Sequence, residues 1–208
     1  MSEWRSPLAQ RLARLLDEGH AREVSALMSD ARFADASRTA EAAVLMAVVE
    51  REEPTVLLTQ RPNNMRDHPG QVAFPGGKLD QGEDAVTAAL REAQEEIALE
   101  PSSVKVIGTT DRYQTGTGFD VTPVLAVVPP DVTASLRPNP SEGEAWFEAP
   151  LDLLLRRENW QEHEVFWRGA MRHYLEMDYS GFRIWGVTAA IIANLSLRID
   201  ADALLARD

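Results

Sequence analysis

Apolar positions recur at helical spacing in several parts of the chain. In residues 7–16 and 21–28 they recur every three or four positions with charged residues between them, which predicts one or two amphipathic helices before the main domain. Residues 83–99 show the same spacing and indicate a helix with one buried face. A short helix is predicted at residues 151–155, and residues 184–197 are typical of a closing C-terminal helix.

Other apolar segments are short, rich in β-branched residues and bounded by turn formers, which predicts strands. The predicted strands cover residues 42–49, 56–58, 71–74, 104–109, 121–128 and 145–148. Residues 165–167 and 173–177 flank an Arg-Gly-Ala turn and predict a β-hairpin. Apart from its one short strand, the proline- and glycine-rich segment 61–77 is predicted to be a loop.

Composition and charge narrow the class of protein. Of 208 residues, 44% are hydrophobic and 26% charged, which favours one folded main domain. The formal net charge of -12 disfavours general binding to nucleic acid or anionic lipid. No apolar segment reaches the ~18–20 residues that span a bilayer, so no membrane association is predicted. The expected partner is a small anionic substrate bound by local cations or metal.

The chain contains no cysteine, which excludes disulfides, thiolate catalysis and cysteine-type zinc sites. This composition fits a reducing cytoplasm, and the protein is expected to be cytoplasmic. The sequence does not determine the oligomeric state, although a homodimer is compatible with it.

Three carboxylates share one face of the helix predicted at residues 83–99. Glu92, Glu95 and Glu96 stand at i, i+3 and i+4, away from the apolar face. Like charges at these spacings repel one another, and a hard divalent cation such as Mg²⁺ would reverse that penalty. Taken alone, the acidic run favours an ordinary solvated helix face, since most acidic runs on surface helices are of that kind.

The order of residues around these carboxylates is specific. Gly77 is followed after five residues by Glu83, after seven more by Arg91-Glu92, and then by Glu95-Glu96. This order resembles the Nudix box, G-x5-E-x7-R-E-U-x-E-E-x-G-U, where U is a bulky aliphatic residue. The sequence departs from the box at two positions: Ala93 is small for an aliphatic position, and Ala98 replaces the final glycine.

The resemblance implies an α/β (α+β) fold: a Nudix-type α/β/α sandwich with a mixed β-sheet. It divides the chain into an N-terminal helical extension, residues 1–38, and a Nudix hydrolase domain, residues 39–208. It also implies Mg²⁺ or Mn²⁺ as cofactor and hydrolysis of a diphosphate bond. The metal ligands implied are Glu92, Glu95, Glu96 and the carbonyl of Gly76, and Arg91 is expected to pair with Glu83.

The sequence before the box is similar to the coenzyme A diphosphatase branch of this superfamily. LLTQRPNNMRDHPGQVAFPGG, residues 57–77, resembles the branch signature LLTxR followed by GQVxFPGG, with Pro62 as a departure. Segments beginning at Phe119, Asn139 and Phe182 also resemble the branch. The substrate-binding residues implied are Arg61, Arg66, Gly70, Gln71, Phe74, Gly76 and Gly77.

The implied reaction converts coenzyme A or a derivative to 3′,5′-ADP and 4′-phosphopantetheine or its acyl form. The implied catalytic residues are Glu92, Glu95, Glu96, Arg91, Glu83 and Glu142. Glu144 competes with Glu142 as the base, and His68 is a weaker phosphate-binding candidate. The alternatives are another substrate, such as ADP-ribose or a nucleoside triphosphate, and a non-catalytic nucleotide-sensing domain.

Four aromatic residues have two open interpretations: Tyr113, Phe119, Trp146 and Trp185 either stack on adenine or belong to the core.

Overall fold

A mixed β-sheet lies between helices on both of its faces in the computed structural model, which describes residues 6–34, 39–61, 70–139 and 145–206. The strands of this main sheet are β1 (Ala40–Val49), β2 (Thr55–Gln60), β3 (Val72–Ala73), β4 (Gly76–Lys78), β5 (Lys105–Thr109), β6 (Tyr113–Gln114), β7 (Phe119–Val128) and β8 (Ala145–Pro150). A smaller antiparallel sheet consists of β9 (Gln161–Trp167), β10 (Ala170–Tyr179) and β11 (Phe182–Trp185). The helices are α1 (Pro7–His20), α2 (Ala85–Ile97), α3 (Leu151–Leu155), α4 (Gly186–Arg198) and α5 (Ala201–Leu205). The predicted α/β sandwich with a mixed sheet is confirmed.

Strand β1 is the centre of the main sheet. It runs parallel to β7 along its whole length, from the pair Ala40 and Phe119 to the pair Val49 and Val128. On its other side it pairs antiparallel with β4 near its start and with β2 near its end. The short strand β4 is therefore hydrogen-bonded to the middle of the sheet just before the chain enters α2.

Both faces of the main sheet are covered, which explains the continuous apolar run in β1. Ala43, Leu45 and Ala47 pack on the α2 side, and the alternating residues Met46 and Val48 pack on the side of α1 and α4. Burial on both faces fixes the register of β1, because a shift by one residue would exchange the two faces.

Helix α2 begins and ends with well-formed caps. The side chain of Asp84 accepts a hydrogen bond from the backbone N–H of Thr87 at 2.8 Å. At the other end Ala98 adopts a left-handed conformation, with φ 56° and ψ 33°, and its N–H donates to the carbonyl of Gln94. Ala98 thus adopts the left-handed conformation of the final box position, which a glycine there would adopt without strain.

The predicted hairpin is confirmed as β9 and β10. Its turn residues Arg168 and Gly169 both have positive φ, as a tight two-residue hairpin turn requires. Strand β11 was missed, because its residues Phe182–Trp185 were divided between a loop and the start of the closing helix. The closing helix itself is confirmed, although it begins two residues later than predicted, at Gly186.

The prediction of a second N-terminal helix at residues 21–28 is wrong. This segment has no regular helix, and its last residue, Met28, is bonded through its backbone to Asn194 on α4. The amide of Asn194 accepts from the N–H of Met28 at 2.7 Å and donates to its carbonyl at 3.0 Å. The N–H of Asp30 also donates to the carbonyl of Gln114. These tertiary bonds replace the helical bonds that the apolar spacing favoured.

Helix α1 packs against α4 and into the larger core cluster of the main sheet. Its buried residues are Leu8, Ala9, Leu12, Leu15, Leu16 and Gly19. Gly19 lies so close to the end of α4 that a Cβ there would stand 2.2 Å from the carbonyl oxygen of Arg198. Among the described helices, none is long and apolar enough to cross a membrane.

A buried ion pair ties the end of α4 to the main sheet. The guanidinium of Arg198 donates to both carboxylate oxygens of Asp111 at 2.8 Å, and to the carbonyls of Gly19 and Arg22. The hydrogen bonds from Arg198 hold the pKa of Asp111 below its usual value. Because the folded state lowers this pKa, the pair stabilises the fold above the ordinary aspartate pKa and loses that effect on acidification.

We expect Asp111→Asn to lower the free energy of unfolding by about 2 kcal/mol at pH 7, since it leaves a buried guanidinium without a counter-ion. On acidification from pH 7 to below about pH 4, the variant should lose less stability than the unaltered protein does, because it no longer has the carboxylate that titrates. Urea denaturation at pH 7 and pH 3.5 measures both effects. The control is Asp152→Asn, whose partner Arg156 lies at the surface and whose effect should stay below about 0.5 kcal/mol. An unchanged stability at pH 7 would contradict this account.

Candidate active site

Arg91 on α2 is bound to Glu83, which precedes the helix. Its Nε and Nη2 donate to the two oxygens of Glu83, each at 3.0 Å, and Nη2 also donates to the carbonyl of Lys78 at 3.1 Å. These hydrogen bonds from Arg91, followed by one from the N–H of Asp80, lower the pKa of Glu83. The pair therefore fixes the segment between β4 and α2 against the helix.

The carboxylate of Glu92 lies against the backbone of Gly77. A Cβ built on Gly77 would stand 2.4 Å from Oε1 of Glu92, closer than atoms can approach. The absence of a side chain at residue 77 therefore provides the space that this carboxylate fills. Glu92 is 16% exposed and also accepts a hydrogen bond from Nη1 of Arg91 at 2.8 Å.

Gly76 is fixed by a different contact. It pairs with Val44 in β1, and a Cβ at this position would stand 2.3 Å from the carbonyl oxygen of Ala43. The close approach of β4 to β1 thus depends on glycine at residue 76. Since successive residues of a strand face opposite sides of the sheet, Gly77 faces α2 and Lys78 faces the opposite side.

Glu95 and Glu96 complete the acidic face of α2. Glu95 is half exposed and contacts Nη1 of Arg91 at 3.3 Å. Oε2 of Glu96 is shielded from solvent. The backbone carbonyl of Glu96 accepts a hydrogen bond from the N–H of Asn139 at 2.7 Å. Within residues 6–34, 39–61, 70–139 and 145–206, no three acidic or histidine side chains are grouped closely enough to hold a metal ion. In this structure Glu92 and Glu95 are both directed to Nη1 of Arg91.

The structure describes the two ends of the loop before the box, and these ends come together beside β2 and β3. The N–H of Arg61 donates to the carbonyl of Gln71 at 2.9 Å, and Gly70 takes a positive φ of 67° just before it. Phe74, predicted to bind substrate, is only 3% exposed and packs in the core cluster. Its side chain therefore supports the loop from within. Arg66, His68, Glu142 and Glu144 lie outside the described residues.

A cavity of about 380 Å³ opens on the face of the main sheet opposite α2. Among the residues that line it are Gln71, Phe119, Trp185, Trp167, Arg172 and Asp30. The sequence interpretation included Gln71, Phe119 and Trp185 but missed the others. No local motif marks Asp30, Trp167 or Arg172, because only the packing of the N-terminal segment and the β9–β10 hairpin brings them together.

The comparison with known proteins agrees with this geometry. The NUDIX domain family model matches residues 39–168. Over 160 residues the chain is 42% identical to a protein of Escherichia coli (strain K12) named uncharacterized Nudix hydrolase NudL, covering 76% of this chain and 82% of that protein. The protein of the same name from Enterobacter sp. (strain 638) matches with the same identity and coverage.

Solved structures of similar fold include a C. elegans Ap4A hydrolase binary complex and the M. smegmatis Nudix hydrolase RenU. The first has a TM-score of 0.46 and 24% identity, covering 55% of this chain and 82% of that chain. The second has a TM-score of 0.45 and 25% identity, covering 56% of this chain and 72% of that chain.

The fold, the box, the family model and the relatives of 42% identity define a class of hydrolases, and this chain belongs to the Nudix family. It is a hydrolase of phosphorus anhydride bonds. Enzymes of this family generally need a divalent metal ion.

Proposed function

We propose that this Nudix hydrolase cleaves the diphosphate of coenzyme A or one of its derivatives, giving 3′,5′-ADP and 4′-phosphopantetheine or its acyl form. The observation that carries the proposal is the segment LLTQRPNNMRDHPGQVAFPGG, residues 57–77, which resembles the coenzyme A diphosphatase branch and leads directly into the box. The backbone bond between Arg61 and Gln71 joins the two described parts of this segment, and the second part continues into the glycines of β4. Substrate choice in one fold depends on such flanking loops.

Cationic side chains around this loop suit a substrate with several phosphates. Coenzyme A carries a diphosphate and a 3′-phosphate, and the planar guanidinium groups of Arg61 and Arg66 suit paired phosphate oxygens. Lys78 adds an exposed ammonium directly after Gly77. These cations supply local positive charge in a chain whose net charge is -12.

The acidic face of α2 fits a divalent cation by its donor chemistry. The carboxylates of Glu92, Glu95 and Glu96, with the carbonyl of Gly76, are the oxygen donors that Mg²⁺ and Mn²⁺ prefer. Binding a cation would require Glu92 and Glu95 to turn away from Arg91, which would keep its two bonds to Glu83. A bound cation would supply positive charge beside the diphosphate and make a nearby water easier to deprotonate.

The bond changes balance without a further reactant. The oxygen of water bonds to one phosphorus of the diphosphate while the bridging P–O bond breaks, and the bridging oxygen leaves with the departing phosphate group. A carboxylate accepts the proton of the water, and we propose Glu142 for this role, with Glu144 as the competing residue. Arg91 acts as a positioning residue, because it holds Glu83 and the start of α2 in place.

The proposal predicts that the protein releases 3′,5′-ADP from coenzyme A only when Mg²⁺ or Mn²⁺ is present. Chromatography of the products, with metal omitted and then restored, measures this release. A parallel series with 3′-dephospho-coenzyme A, ADP-ribose and ATP tests the substrate, and lower kcat/KM without the 3′-phosphate would indicate that this group is bound. If coenzyme A stays intact at high enzyme concentration while another substrate is cleaved, the assignment to coenzyme A is wrong. Binding without cleavage of any substrate would favour a sensing domain.

A further inference from the structure

The cavity opposite α2 lies close to the glycines of the box. Lys78 pairs with Ala42 in β1, and Ala42 pairs with Val121 in β7, which lines the cavity. Adjacent strands are ~4.8 Å apart, so the backbones of Lys78 and Val121 are separated by about 10 Å. Nζ of Lys78 lies 5.4 Å from the centre of the Phe119 ring. The side chain of Lys78 therefore reaches from the start of the box to the ring of Phe119, which lines the cavity.

Two tryptophans in the wall are fixed by contacts that the rest of the fold supplies. The ring of Trp167 lies against Gly116, where an added Cβ would stand 2.4 Å from a ring carbon. The centres of the Trp167 and Phe33 rings are 5.2 Å apart. The guanidinium of Arg183 covers Trp185 at 4.6 Å from the ring centre. Rigid aromatic walls of this kind are ready to receive a flat ring without losing side-chain freedom.

The structure distinguishes between the four aromatic residues for which the sequence left stacking and core as alternatives. Phe119 and Trp185 line it. Tyr113 is almost fully buried, and Trp146 packs against the core cluster beside α2. Two of the four residues therefore face the same open space.

The polar groups at the cavity supply both donors and acceptors. The amide of Gln71 can donate and accept. Arg172 donates through Nε to the two oxygens of Asp30 at 3.0 and 2.9 Å, which places a guanidinium and a carboxylate side by side in the wall. A purine presents a flat face and an edge with both donors and acceptors, and pockets of about 300–1,000 Å³ suit ligands of this kind.

We propose that this cavity binds the nucleobase of the substrate, and that the N-terminal segment completes it by placing Asp30 against Arg172. The proposal rests on the proposed function only in requiring a nucleotide substrate whose diphosphate lies at the box. A pantetheine arm is flexible and has no flat face, so it would gain less from Phe119, Trp167 and Trp185. A larger cavity of about 490 Å³ lies beyond Asp30, along the N-terminal segment and α4, and among its described lining residues none belongs to the box.

The N-terminal segment reaches the cavity because Asn194 holds the backbone of Met28 two residues before Asp30. Gln114 fixes Asp30 itself through a backbone bond of 2.9 Å. This gives the segment before the family-matched region a role in specificity: it orients Arg172 in the wall.

Direct binding of two ligands tests the proposal with the full chain. Isothermal titration calorimetry measures Kd for 3′,5′-ADP, which carries adenine, and for inorganic pyrophosphate, which does not. In Trp185→Leu and Phe119→Leu we expect Kd for 3′,5′-ADP to rise by about tenfold or more, as loss of a stacking ring implies, and Kd for pyrophosphate to stay within about twofold. Trp185→Phe, which keeps a ring, should recover most of the affinity. The control Phe166→Leu removes a ring on β9, next to Trp167, that is 69% exposed and does not line the cavity.

The outcomes separate this proposal from the choice of coenzyme A as substrate. If coenzyme A is cleaved but both leucine variants bind 3′,5′-ADP as tightly as the unaltered protein, the nucleobase lies elsewhere and the cavity proposal is wrong. If coenzyme A is not cleaved but the leucine variants lose affinity for the adenine ligand, the cavity proposal stands and the substrate assignment fails. An equal loss of affinity for 4′-phosphopantetheine, with 3′,5′-ADP unaffected, would assign the cavity to the pantetheine arm and overturn the proposal. Should Trp185→Leu not fold, Phe119→Leu still decides the question with the same two ligands.

Discussion

Glu92→Gln is expected to lower kcat for diphosphate hydrolysis by about 10²- to 10³-fold, the loss typical when one group that stabilises charge in the transition state is removed. Glutamine keeps the volume that fills the space beside Gly77, and Arg91 keeps its two bonds to Glu83. The fold should therefore be unchanged. Steady-state kinetics over a range of Mg²⁺ concentrations measures both kcat and the apparent metal affinity, and thermal unfolding checks the fold.

Two further variants provide a parallel test and a control for this prediction. Glu96→Gln should resemble Glu92→Gln, because both carboxylates are proposed metal ligands on the same helix face. Glu100→Gln is the control, since Glu100 follows α2 and contacts Gln94 rather than the box residues. Full activity of Glu92→Gln, or an equal loss in Glu100→Gln, would remove Glu92 from the reaction. A loss of kcat that excess metal restores would assign it to metal binding in particular.

Much of the fold was predictable because local signals and tertiary packing agree. In β1 the run of apolar residues is long because both faces are buried, and in α2 the apolar period marks the face that packs on the sheet. The segment 21–28 shows where this fails: its spacing suits a helix, but the amide of Asn194, far away in sequence, bonds its backbone instead. Periodicity carries no information about such a partner.

At the site, too, local signals were predictable from the sequence and contacts between distant residues were not. The resemblance to the box implied the pair of Glu83 and Arg91, and the helical spacing placed Glu92 on one face with Glu95 and Glu96. Nothing in the spacing shows that Glu92 lies on Gly77 or that Arg91 holds Glu92 as well as Glu83, since these contacts depend on how β4 meets α2. Asp30 and Arg172 are separated by 142 residues and meet only through packing, so their pair could not be predicted.

The two neighbouring glycines of β4 should respond differently to the same substitution. In Gly77→Ala the new Cβ would collide with the carboxylate of Glu92, the end of a flexible side chain that can move. We therefore expect stability to change little and kcat to fall by about ten- to a hundredfold, as when the surroundings of a metal ligand are altered. In Gly76→Ala the collision is with the backbone carbonyl of Ala43, so the sheet itself must shift and the protein should be destabilised.

A double-mutant cycle tests whether Gly77 acts through Glu92. If alanine at residue 77 harms the reaction only by displacing that carboxylate, then adding Gly77→Ala to Glu92→Gln should cost much less than it does in the unaltered protein. Gly108→Ala is the control, because a Cβ there would meet only a side-chain carbon of Leu16 at 3.7 Å, an ordinary contact. Kinetics and thermal unfolding of all four proteins in the cycle give the coupling. Additive losses would show that Gly77 contributes independently of Glu92, and the space it leaves for the carboxylate would then not be its role in the reaction.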